Sequence, residues 1–95
     1  MRVRNAQVQS DWETLVRTRH GPCTACWDHI STQPGVPVGS RYTWLKGTQK
    51  TVDVDGEVLD QWQWEIDRGA RVKVGVGKGY VVVVSVSTGH PKENE

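Results

Sequence analysis

From Arg41 to Val86 apolar and polar residues alternate, the period of strands with one buried face. Tyr42 and Trp44 alternate with Arg41 and Thr43, and Val52 and Val54 with Asp53 and Asp55. Val58, Trp62, Trp64 and Ile66 line the next face, which Asp60 interrupts. Val72, Val74 and Val76 then alternate with Arg71, Lys73 and Gly75. The last run, Tyr80 to Val86, is apolar on both faces as far as Val84, which predicts the most buried strand. A three-residue loop at 77–79 would set Val76 opposite Tyr80, Val74 opposite Val82 and Val72 opposite Val84, all on one face. In the preceding hairpin a three-residue loop at 55–57 sets Val54 against Val58. A two-residue Asp55-Gly56 turn sets Val54 against Glu57, on conflicting faces.

Upstream the period is helical. Trp12, Leu15, Val16 and Arg19 recur at steps of three and four, predicting a helix over about 10–20, with Ala6 or Val8 as an earlier start. Ser10 and Asp11 offer an N-cap, and Gly21-Pro22 reads as the stop. Residues 21–40, punctuated by proline and glycine, read as loop. The expectation is an α+β, β-rich fold. One N-terminal helix packs on a curled antiparallel sheet, or on a small open barrel, of about five strands within residues 41–87. Residues 1–88 read as a single domain and 89–95 as a flexible tail.

Composition sharpens this picture in three ways. The chain has 95 residues, 36% hydrophobic and 24% charged, so one small core is expected in a soluble protein. No apolar run approaches the roughly 20 residues of a membrane span, and the first residues carry no apolar signal core, so a cytoplasmic location is expected. Five tryptophans exceed what such a core hides, so one or two should be partly exposed.

Charge is arranged in blocks beneath a net of +1. Residues 51–67 hold Asp53, Asp55, Glu57, Asp60, Glu65 and Asp67 with no basic residue. Residues 68–80 hold Arg68, Arg71, Lys73 and Lys78 with no acidic one. Two readings are open: neighbouring strands attracting each other across a sheet, or a basic stripe for a polyanion and an acidic patch for a protein partner.

The one constellation with chemistry in it is His20, Cys23, Cys26 and His29, four potential metal ligands at every third position. Zinc held by Cys23 and Cys26 with two histidines is one reading, with Asp28 or His90 as substitute ligands. Buried thiols acting as small hydrophobes are a second, and a redox pair or disulfide a third. Cys23, Cys26 and Ile30, followed by Gly39-Ser40-Arg41-Tyr42, resemble the opening knuckle and hairpin of treble-clef-type zinc domains. The resemblance implies one zinc ion. Trp27 stands where such knuckles carry glycine, and no second ligand pair follows. Residues 69–86, with Val72, Val74 and the Gly77-Lys78-Gly79 turn, resemble a strand pair of SH3-like barrels.

Function is expected to be non-enzymatic. No nucleophile elbow, paired carboxylates in an apolar segment or Walker sequence is found. A protein-binding module is the first reading, such as a phage or mobile-element accessory protein acting on a host target. Trp62, Trp64, Arg68, Arg71, Lys73 and Lys78 are its candidate contact residues. A zinc-knuckle nucleic-acid binder is the alternative, which the near-neutral charge disfavours. Homo-oligomerisation through an open sheet edge is a further expectation.

Overall fold

A computed structural model describes residues 2–88 of the chain. Strand β1 (Arg2–Val3) is followed by helices α1 (Ala6–Thr18) and α2 (His20–Thr32), then by strands β2 (Tyr42–Trp44), β3 (Thr51–Val54), β4 (Glu57–Glu65), β5 (Arg71–Gly77) and β6 (Tyr80–Ser87). The fold is α+β and β-rich, as the alternation predicts, with two helices rather than one and six strands rather than five. No described helix is long and apolar enough to cross a membrane.

Helix α1 begins earlier than its apolar stripe. Asn5 caps it, its Oδ1 accepting the Val8 backbone N–H at 2.9 Å, so Ser10 and Asp11 lie inside the helix. Val8, Trp12 and Leu15 form the buried face. The helix ends at Arg19, not at Gly21-Pro22. Pro22 instead sits in the first turn of α2, where backbone N–H groups have no intrahelical acceptor to lose. The expected loop over 21–40 is therefore a helix as far as Thr32, and Pro34 follows its end. Cys23, Cys26 and Ile30 supply its buried stripe at i, i+3 and i+7.

The sheet runs β1-β6-β5-β4-β2, and β3 pairs with the other half of β4. All pairings are antiparallel except β1 with β6, where Arg2 stands opposite Val82. One face packs on the helices. Tyr42, Trp62, Trp64, Val72, Val74, Val81 and Val83 meet Val8, Trp12, Leu15, Cys23, Cys26 and Ile30 there. The other face curls inward over a smaller apolar patch. Gly75 lies under Leu59 and Val52, so close that an added Cβ would sit 3.0 Å from Leu59 Cδ1. Val82 and the buried Gln61 complete it, the Gln61 amide donating to the Gln49 carbonyl at 2.8 Å. The sheet stays open. Arg4 donates to the Asp53 carbonyl at 3.0 Å, and Arg2 lies over the Tyr80 ring, whose hydroxyl bonds the Glu57 carboxylate. These side chains draw the β1 edge toward the β3–β4 tip.

Two registers differ from the expected ones. The β5–β6 turn has two residues, so Gly77 pairs with Tyr80, Val76 with Val81 and Val74 with Val83. A shift between Lys73 and Val74 then leaves Val72 opposite Val86. The β3–β4 turn is Asp55-Gly56, at φ 53° and 86°, the left-handed pair that a type I′ turn needs. It sets Val54 against Glu57 and Asp53 against Val58. The conflict between faces is real, and it is resolved by leaving Val58 in solvent, 66% exposed. Val81 to Val84 are all buried, as their two-faced apolarity predicts.

Candidate functional site

An exposed aromatic on β2 marks the candidate site. Tyr42 and Trp44 point to the same side of β2, opposite Trp64 and Trp62 of β4. The rings stack in a column. Trp44 lies over Trp62 at 6.4 Å with planes 16° apart, Tyr42 over Trp62 at 4.9 Å, and His29 edge-on to Tyr42 at 5.2 Å. Tyr42 is fully buried and donates its hydroxyl to the Pro34 carbonyl at 2.6 Å. Burial pushes its ionisation well above the ordinary phenol range.

The column emerges from the core at Trp44, which is 47% exposed. Its indole N–H donates to the Lys50 carbonyl at 2.9 Å, at the end of the 3-10 turn Gly47–Gln49. Stacking on one face and this bond at the edge fix the ring in one orientation. Along β4 the same side continues to Asp60 and Val58, and Asp53 of β3 stands opposite Val58. Trp44 and Val58 are thus two exposed apolar side chains on one side of the sheet, with Asp60 between them along β4 and Asp53 beside Val58.

The expected contact residues separate. Trp62 and Trp64 belong to the core, 8% and 4% exposed, and cannot serve as an open platform. Their alternation with glutamine and glutamate fixed their face correctly, but that face is the one the helices cover. Arg71 lies 3.8 Å from Glu65, the attraction between neighbouring strands that the charge blocks suggest. Lys73 donates to the Gln49 side chain at 2.9 Å. Arg68 is exposed after β4, and Lys78 is exposed in the β5–β6 turn. Trp44 was overlooked because a three-residue strand hides its role. Its signal is its position as the last aromatic before the turn, opposite an aromatic partner.

The four cysteine and histidine positions do not converge. Three-residue spacing on an α-helix steps backward by about 60° each time, so nine residues place His20 and His29 on opposite sides. His20 is exposed, while His29 is half-buried with Nε2 2.7 Å from the Val36 carbonyl. Cys23 and Cys26 are buried free thiols. Among the described residues, no three His, Cys, Asp or Glu side chains lie close enough to share a metal ion. The knuckle turn implied by the treble-clef resemblance is replaced by helix. His90, the other expected ligand, lies outside the described residues. Burial pushes the Cys26 thiol up to about 12 and raises Cys23 in the same direction. Such thiols are poor nucleophiles at neutral pH.

A second apolar surface lies between the helices. Trp27 of α2 is 41% exposed with its ring 6.1 Å from that of Trp12, beside Val16, Cys23 and Thr24.

Compared with family models, curated proteins and solved structures, the chain finds no match among them.

Proposed function

We propose that this chain is a small, non-enzymatic protein-binding module that recognises its partner through Trp44 and Val58. The observation that carries the reading is the immobilised, half-exposed Trp44 ring. A large aromatic held in one orientation loses little conformational freedom on binding, so it suits an anchor at the centre of an interface. Val58, four residues along β4 from the Trp62 partner of Trp44 and on the same side, adds a second exposed apolar side chain. Asp53 and Asp60 supply a charged border, which selects a partner that presents an apolar pocket edged with lysine or arginine.

The test compares wild-type and Trp44→Ala proteins as bait in cells of the source, followed by calorimetry with the purified partner. The substituted protein keeps its fold by circular dichroism, because Trp44 is half in solvent. The expected loss of affinity is about 30-fold or more, the scale of an aromatic anchor. A partner bound equally by both proteins would overturn the reading.

A further inference from the structure

We propose a second recognition surface at the opposite end of the sheet, an arginine-lined cleft that takes an acidic, partly apolar segment of a protein. It stands apart from Trp44, and either surface can fail without the other. Residues Val38, Gly39, Ser40 and Arg41 form one wall, and Glu65, Asp67 and Arg68 the other. Arg71 stands on the adjacent strand opposite Glu65.

The charge balance of this end is uneven. Arg19, Arg41, Arg68 and Arg71 gather here against two carboxylates, Glu65 and Asp67. Both carboxylates already have partners. Asp67 accepts from Arg19 and from the Gly69 and Ala70 backbone N–H groups at 2.9 Å, and the Arg19 bond foremost holds its carboxyl below the usual range. Glu65 has Arg71 beside it. Arg41 donates one N–H to the Glu65 carbonyl at 3.1 Å, which aims the guanidinium while leaving its other donors unused. Arg68 makes no hydrogen bond or ion pair among the described residues. Two cations, Arg41 and Arg68, thus line one concave surface without a carboxylate partner of their own, which favours an anionic ligand.

The neighbours of these cations choose between anions. Val38, 37% exposed, lines the cleft with Arg41 on the loop after α2, and Val36, 47% exposed, lies two residues before it in the chain. The stacked rings lie along β2 and β4 toward the other end, so no aromatic in the cleft offers bases a platform. An exposed valine beside forked guanidinium groups matches a peptide that alternates carboxylate and aliphatic side chains. Arginine pairs with carboxylates in a bidentate geometry.

Fluorescence anisotropy with two labelled probes tests this. One is a twelve-residue peptide alternating glutamate and leucine, and the other a twelve-nucleotide single-stranded RNA. The expected result is binding of the peptide, weakened by salt. Arg68→Gln and Arg41→Gln each weaken it by about 3- to 10-fold, while Trp44→Ala leaves it unchanged. Arg68 is exposed, so Arg68→Gln retains its circular dichroism spectrum and separates lost recognition from lost folding. Four results overturn the proposal: preference for the RNA, binding of neither probe, peptide affinity indifferent to both arginine substitutions, or loss of peptide binding in Trp44→Ala.

Discussion

The two hairpins begin from similar material and end in different places. Both carry alternating valines and both turn in two residues through a glycine at positive φ. The β5–β6 hairpin is covered twice, by the helices on one side and by Leu59 and Val52 on the other. The β3–β4 hairpin projects past the helices, and its outer valine, Val58, meets water. Valine alternation therefore establishes that a strand has two unlike faces. Whether the apolar face becomes core or contact surface depends on what other elements reach it.

Substitutions in the two hairpins separate these fates. The largest effect belongs to Val74→Asp, which puts a carboxylate without a partner at a fully buried position between sheet and helices. A penalty of several kcal/mol exceeds the reserve of a domain this small, so the protein is expected to be unfolded by circular dichroism at 25 °C. Gly75→Val tests the opposite cover. Its side chain would press against Leu59 and Val52, so a loss of about 1–3 kcal/mol is expected in urea titrations.

A smaller effect comes from alkali. Cys23 and Cys26 pack beneath the β5–β6 sheet, and burial raises both thiols, Cys26 to about 12. In the unfolded chain thiols ionise at about 8.5. The native state holds these protons longer, so the stabilisation is complete below that pH and is lost as pH rises toward the folded value. The urea midpoint should fall between about pH 9 and 11. In native protein at pH 8, a thiol-specific reagent should react at least about tenfold more slowly than in guanidinium. If both thiols react at once in the native protein, the buried-stripe role of α2 fails. The smallest effect belongs to Val58→Lys, expected to shift stability by no more than about 0.5 kcal/mol because the side chain already faces solvent. A large loss of stability there would mean that the two hairpins are equally covered.

Much of this architecture was legible before the structure. The strand period located β2 to β6, and the doubly apolar run identified Val81 to Val84 as buried. The exact pairing was not legible, because four identical valines carry no parity: a slip of one residue exchanges one buried valine for another. Helix α2 was missed for two physical reasons. Gly21-Pro22 reads as a stop, yet proline also fits the first turn of a helix, and cysteines at this spacing suit a ligand set as well as the apolar stripe they form. The candidate site was half legible. An excess of tryptophan predicted exposed rings, and Trp27 and Trp44 are those rings. Which tryptophans they are depends on where the helices stop covering the sheet, and that is a tertiary property.

The parallel pairing of Arg2 and Val3 with Val82 and Val83 joins the first described strand to the last. During synthesis the two helices emerge well before the valine strand that covers α1. Until then the apolar stripe of α1 has no sheet to rest on. Truncation a few residues short of β6 should accordingly yield a chain that aggregates or is degraded, rather than a smaller domain.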